Sequence, residues 1–270
     1  DMASTTETTR RKTALITGAS SGIGLELTKL FARDGYDLVL VARNRENLAR
    51  LGEELHAKHG VDARAMPADL SSAGAVQDLI SALERDRVDV DALVNAAGFG
   101  GRGLFAEEDP GEVLGMLQVN VAALTLVTRA VLPGMVGRGS GKILNVASTA
   151  AFQPGPLMAV YYASKAYVLS LSEAVANETS GTGVTVTALC PGPTATNFQA
   201  RADMTRTRLF NAGLTMQPDA VARAGYVGLM QGRRVVVPGL KNRLGALVSR
   251  YMPSGLVIST TRRLNESREG

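Results

Sequence analysis

A chain of 270 residues has room for one large domain or two small ones, and its 45% hydrophobic and 20% charged residues exclude a disordered, collagen-like or coiled-coil protein. The net charge of +4 is unevenly spread, with +6 in residues 233–270 and −2 in residues 1–232, so a near-neutral body carries a basic tail. The single cysteine, Cys190, cannot close a disulfide within the chain, and the 29 glycines are in excess without a collagen period, which points to particular turns that need them.

Residues 1–11 read as a flexible, polar, Thr-rich segment with none of the apolar character of a signal peptide. No uninterrupted apolar run approaches the roughly 18 residues that span a bilayer. The expectation is a soluble, cytoplasmic protein. From Thr13 onward, seven short apolar runs predict strands: Thr13–Thr17, Asp37–Ala42, Val61–Met66, Asp89–Val94, Lys142–Val146, Val184–Leu189 and Arg234–Val237. Most lack polar alternation, as expected when both faces of a strand are covered, and helical stretches separate them. The pattern is that of an α/β fold, a doubly wound parallel sheet flanked by helices, over residues 12–239. Pro191–Gln217 is too long for an ordinary connection and reads as a functional lid. Beyond Pro238–Gly239, Leu240, Leu244, Leu247, Val248 and Tyr251 fall at helical spacing among Lys241, Arg243 and Arg250. This predicts an amphipathic helix ending before Pro253, within a helical extension 240–270 that packs on the same domain or on another subunit.

After the first strand comes Thr17-Gly18-Ala19-Ser20-Ser21-Gly22-Ile23-Gly24, followed by a helical stretch. Glycines there let backbone amides approach a pyrophosphate at a helix N-terminus. Asn95-Ala96-Ala97-Gly98 follows the fourth strand, Asn120 sits in a helical run, and Ser148 follows the fifth strand. Tyr161 and Lys165, four apart, share a helix face, and Pro191–Gly192 follows the sixth strand. Tyr162 is a rival phenol, but it stands three residues before Lys165. His56 and His59 lie in a polar helix, and with one distant cysteine they form no metal-ligand cluster.

In order and spacing these elements resemble the short-chain dehydrogenase/reductase family in its compact, single-domain form. The fold that the resemblance implies is a Rossmann-type seven-stranded sheet. The activity it implies is hydride transfer between a nicotinamide dinucleotide and a carbonyl or secondary alcohol. Tyr161 would be the acid/base and Ser148 would bond the reacting oxygen. Lys165 would hold the nicotinamide ribose and lower the tyrosine pKa through its ammonium, and Asn120 would support a proton-relaying water. Cofactor contacts pass by resemblance to Gly18, Ser20, Ser21, Gly22, Ile23, Gly24, Asp69, Leu70, Asn95, Ala96, Ala97, Gly98, Pro191, Gly192, Thr194 and Thr196, although an aspartate before Ser71–Ser72 equally suits a helix cap.

The second strand ends in Val41-Ala42-Arg43 with no carboxylate to bond a ribose 2′-hydroxyl, and the Arg43 guanidinium suits a 2′-phosphate. NADP(H) is therefore expected over NAD(H). The substrate wall is expected from Phe99–Leu104, the stretch Phe152–Met158 and the lid around Phe198–Met216, whose apolar Phe152, Leu157, Met158, Phe198, Leu209, Phe210 and Met216 favour an apolar carbonyl, with Arg201, Arg206 and Arg208 as candidates for an acidic tail. Competing readings are an epimerase, a catalytically silent dinucleotide-binding regulator, and a peripheral membrane reductase of lipid-like carbonyls. The first usually has a different glycine loop, and the second typically lacks the tyrosine or lysine. Nucleic-acid motifs are absent. A homodimer or homotetramer is the expected assembly, with the tail packed rather than bound to membrane.

Overall fold

The computed structural model describes residues 10–196, 198 and 215–266. Seven parallel strands form one sheet in the order β3-β2-β1-β4-β5-β6-β7: β1 (Thr13–Thr17), β2 (Asp37–Ala42), β3 (Ala63–Pro67), β4 (Ala92–Asn95), β5 (Gly141–Val146), β6 (Val184–Leu189) and β7 (Val235–Val236). The apolar runs are strands because both faces are covered. Ala14, Ile16, Leu38, Leu40, Val94 and Leu144 pack beneath α1 (Gly22–Arg33) and α2 (Arg45–His59). Leu15, Val39, Val41, Leu93 and Ile143 pack on the opposite face beneath α3 (Ala73–Arg85) and the following helices. Each such fully buried side chain contributes about 1.5–3 kcal/mol over exposure.

β3, β4 and β7 begin later than their apolar patterns suggest, and aspartates near the strand starts serve as clasps. Asp37 Oδ1 accepts from the Asp62 amide at 2.9 Å, and Asp91 Oδ2 accepts from the Thr13 amide at 2.7 Å. Of the segment expected to be flexible, residues 1–9 lie outside the described residues. Arg10 is tied to Asp91 at 2.9 Å, and Arg11 donates to the Gly60 carbonyl at 2.7 Å.

Helices α4 (Pro110–Leu117) and α5 (Leu124–Gly137) are joined through a widened π-type turn, Gln118–Ala123, into one run. This run of 28 residues is long and apolar enough to cross a membrane by length and composition. Glu112, Gln118, Asn120 and Arg129 interrupt its apolar pattern in sequence, and Met116, Val119, Ala123 and Val127 bury one of its faces in the core. Then come α6 (Ala159–Glu178), α7 (Pro218–Met230), α8 (Leu240–Tyr251) and α9 (Ser254–Asn265).

The tail is helical, as expected, but its two helices present different faces to the domain. Helix α8 has the predicted span, but its apolar stripe faces away from the domain: Leu240 is 81% exposed and Tyr251 77% exposed, with Leu244, Leu247 and Val248 also exposed. Its half-buried face carries Asn242, Ala246 and Ser249. Helix α9, which has no apolar stripe in sequence, is the element that packs inward, burying Val257, Thr261 and Asn265.

Candidate active site

The strand order reverses between β1 and β4, and the crevice above the carboxyl ends of these strands is where doubly wound folds bind ligands. A cavity of about 410 Å³ lies there. At one end the loop from β1 enters α1. Ser21, the residue before the helix, makes no side-chain capping bond, and the first turn has no acidic residue, so first-turn amides remain to meet an anion. The glycines of this loop are required by contact. A Cβ on Gly18 would lie 2.8 Å from the Ala97 amide, and one on Gly24 would lie 2.2 Å from the Gly18 carbonyl oxygen. A dinucleotide fits this cradle: its pyrophosphate can approach bare backbone at a positive helix end. Arg43 stands exposed on the cavity lining and makes no ion pair among the described residues.

The opposite wall holds polar side chains brought from three elements. Ser148, just past the end of β5, donates from Oγ to the Pro191 carbonyl at 3.4 Å and accepts from the Ala150 amide at 3.1 Å, and it stands beside the Tyr161 phenol, whose pKa it draws down. Lys165, one turn beyond Tyr161 on α6, is buried and donates from Nζ to the Val146 carbonyl at 2.8 Å. Its other two N–H donors have no acceptor among the described residues. Burial pushes its pKa down to about 8. Lys165 Nζ lies 5.8 Å from the Tyr161 ring centroid. The expected dominance of the ammonium over the phenol is not what the structure gives: burial raises the Tyr161 pKa above its ordinary value, opposed by the Ser148 hydrogen bond. A desolvated phenol keeps its proton.

Gly18, Ser21, Gly22, Ile23, Gly24, Arg43, Ala96, Ala97, Gly98, Ser148, Tyr161, Lys165, Pro191, Gly192, Thr194 and Thr196 all line the cavity, as read from sequence. Five candidates lie outside the lining. Ser20 is one of them. Asn95 is buried in the sheet, where its Nδ2 donates to Thr128 Oγ1 at 3.0 Å and Asn145 Oδ1 at 2.9 Å. Asp69 turns the chain into α3, accepting from the Ser71 amide at 3.1 Å and hydroxyl at 2.8 Å, while Leu70 belongs to the core. Asn120 sits in the π-type turn, and its amide clamps the loop after β4: Oδ1 accepts from the Phe99 amide at 3.1 Å, and Nδ2 donates to the Phe99 carbonyl at 2.9 Å and Ser164 Oγ at 3.0 Å.

Phe99, Met158 and Phe198 supply the expected apolar wall, and Phe198 packs against the Tyr161 ring at 5.1 Å between centroids. Phe152, Leu157 and Met216 do not line it. Leu209, Phe210, Arg201, Arg206 and Arg208 lie outside the described residues. Gln153 lies within the expected stretch Phe152–Met158, whereas Val146, Ala147, Thr149, Ala150, Pro193 and Leu264 line the cavity without having been read in sequence as site residues. Leu264 arrives on α9, whose Asn265 donates from Nδ2 to the Pro156 carbonyl at 3.0 Å and accepts from the Tyr162 hydroxyl at 3.3 Å. No group of three or more potential metal ligands occurs among the described residues.

The family model described as short chain dehydrogenase matches residues 12–207. A short chain dehydrogenase of Pseudocercospora fijiensis is 38% identical over 198 residues, covering 73% of this chain and 64% of the relative. The ketoacyl reductase HetN of a Nostoc species is 34% identical over 181 residues, covering 67% of this chain and 63% of the relative. The match thus spans less than two-thirds of the length of either relative. The solved structure of a Sphingobium yanoikuyae short-chain dehydrogenase in complex with NADPH superposes with a TM-score of 0.80 at 35% identity, covering 87% of this chain and 92% of that one. The family model covers well over half of the chain, and on it the chain belongs to the short-chain dehydrogenase/reductase family of oxidoreductases.

Proposed function

We propose that the protein is an NADP(H)-dependent oxidoreductase that interconverts an apolar ketone and its secondary alcohol. The observation that carries this reading is the meeting of Tyr161, Ser148 and Lys165 on one wall of a cavity whose other end is the uncapped N-terminus of α1. When bound, the nicotinamide supplies the hydride or accepts it. The side chains do the rest. A phenol held protonated by burial is a proton donor at neutral pH, so Tyr161 gives its proton to the substrate oxygen in the reductive direction. Ser148 orients that oxygen and stabilises charge developing on it. The Lys165 donors left over by Val146 are available to a ribose hydroxyl, and its charge supports the phenolate as the proton leaves. Phe99, Met158, Phe198 and Leu264 exclude water and favour an apolar substrate. The NADPH in the Sphingobium structure and the ketoacyl substrate class in the name of the Nostoc relative support the same reading.

NADP(H) is chosen over NAD(H) on Arg43, a guanidinium just past the end of β2 with no ion-pair partner among the described residues and no carboxylate beside it in sequence. Losing a charge-assisted contact to a 2′-phosphate costs about 1.5–3 kcal/mol, so Arg43→Ala should weaken NADPH binding roughly tenfold or more and leave NADH nearly unchanged. The test is oxidation of each cofactor by the purified protein across a panel of ketones, with both dissociation constants measured for wild type and variant. Equal use of NADPH and NADH by the wild type, or an Arg43→Ala variant with unaltered NADPH affinity, would contradict the assignment.

A further inference from the structure

Helix α8 is an amphipathic helix mounted the wrong way round. Its polar face is the one clamped to the domain. Asn242 Nδ2 donates to Met216 Sδ at 3.5 Å, and the Ser249 hydroxyl bonds Gln153, a residue of the cavity wall. The glycine at 192 lets this face come close, since a Cβ there would meet the Asn242 amide group at 2.4 Å. Leu240, Leu244, Leu247, Val248 and Tyr251 are thereby presented outward, and exposed Met252 and Leu256 continue the apolar surface around the turn into α9. An apolar stripe fixed outward by hydrogen bonds on its reverse side marks an interaction surface.

Charge selects the occupant. Between Leu240 and Asn265 there are five basic residues, Lys241, Arg243, Arg250, Arg262 and Arg263, and no acidic one. All five are exposed, and among the described residues only Arg262 has an ion-pair partner, Glu266 at 3.5 Å. A second copy of the chain would bring the same patch onto itself about a two-fold axis, setting Lys241, Arg243, Arg250 and Arg263 against the same cations, with Glu266 already paired to Arg262. An anionic bilayer offers what the patch lacks: phosphates around an apolar interior, with a tyrosine at the end of the stripe suited to the headgroup boundary.

We propose that α8 docks the protein on the surface of an anionic membrane, lying in the interface with Leu240, Leu244, Leu247, Val248 and Tyr251 immersed. The bilayer then sits beside the wall of the cavity formed by Gln153 and α9, without any span crossing it.

Flotation of the full-length protein with vesicles tests this. One set mixes phosphatidylglycerol with phosphatidylcholine, and the other is pure phosphatidylcholine. Three proteins are compared: wild type, Leu244→Glu/Leu247→Glu, and Lys241→Glu/Arg243→Glu/Arg250→Glu. All the altered residues are exposed and outside the catalytic and cofactor machinery, so reduction of a water-soluble ketone without vesicles is expected to be unchanged. The wild type should float with the anionic vesicles, less so as salt is raised, and not with the neutral ones. Each basic side chain near the surface favours binding about fivefold, so the triple variant should bind at least roughly a hundredfold more weakly. The double variant should stay at the bottom of the gradient. Failure of the wild type to float, or equal flotation of all three proteins, would overturn the proposal. Absence of flotation together with a fall in solution mass in the double variant would assign the face to a second copy instead.

Discussion

Tyr161 and Tyr162 are neighbours in the chain with different tasks. The Tyr162 hydroxyl is spent on Asn265, and its ring lies over Gly155, whose missing Cβ would fall 2.2 Å from that ring. Tyr161 reaches the cavity with Ser148 beside it. Below Tyr161, Lys165 is a buried ammonium whose pKa burial holds down to about 8. The sign of the resulting pH dependence follows directly: the group is charged below pH 8 and neutral above it, so the cation beside the ribose site and the phenol is lost as pH rises. The value of kcat/KM for NADPH, which reports the free enzyme, should therefore fall as pH rises through about 8. Lys165→Met should give a lower rate without that limb. A wild-type profile flat through the alkaline side would show that the charge on Lys165 is not used.

Among the elements, the loop from β1 into α1 bears the tightest steric demand. With the Gly18 carbonyl 2.2 Å from where a Cβ on Gly24 would be, Gly24→Ala must spread the loop that presents its amides to the pyrophosphate. Dinucleotide affinity by fluorescence titration should fall roughly tenfold or more, as expected for losing at least one charge-assisted hydrogen bond, while circular dichroism shows the sheet and helices retained. Unchanged affinity would remove this loop from the binding site. The strands were legible in sequence because runs such as Leu38–Val41 are buried on both faces and tolerate no polar residue. The site was legible because its glycines, Tyr161 and Lys165 are held at fixed short spacings. What escaped the sequence is the part of the cavity closed by long-range satisfaction of polar groups. Helix α9 buries Thr261 and Asn265, and Asn265 is satisfied by Pro156 and Tyr162, more than a hundred residues away. Hydrophobic patterning therefore pointed to α8 as the helix to bury, when polar contacts hold α8 and its apolar side is left outside. Asn95 and Asp69 stand outside the cavity lining, because a buried amide between strands and an aspartate closing a turn are also what local structure demands.

At the scale of the whole molecule, exposed apolar residues also occur on elements other than the tail. Leu114 and Leu117 on α4 and Leu126 on α5 are exposed, and the Thr125 hydroxyl meets that of exposed Tyr167 on α6 at 3.0 Å, joining α5 and α6 into one face. We propose that this face, unlike the basic tail, is where copies of the chain pair. Light scattering should give the mass of a dimer or tetramer, and Leu114→Glu should lower it towards that of one chain of 28.3 kDa. A wild-type protein of single-chain mass at micromolar concentration would refute the pairing.

The central claim is that Tyr161, and no other phenol, exchanges the proton with the substrate oxygen. It is tested most directly by measuring NADPH-dependent ketone reduction and NADPH affinity side by side for wild type, Tyr161→Phe and Tyr162→Phe. The account predicts that Tyr161→Phe loses about 10²–10⁴ in turnover, the contribution of a general acid, with NADPH affinity nearly intact, while Tyr162→Phe keeps most of its turnover. Near-normal turnover in Tyr161→Phe beside an inactive, still folded Tyr162→Phe would contradict it.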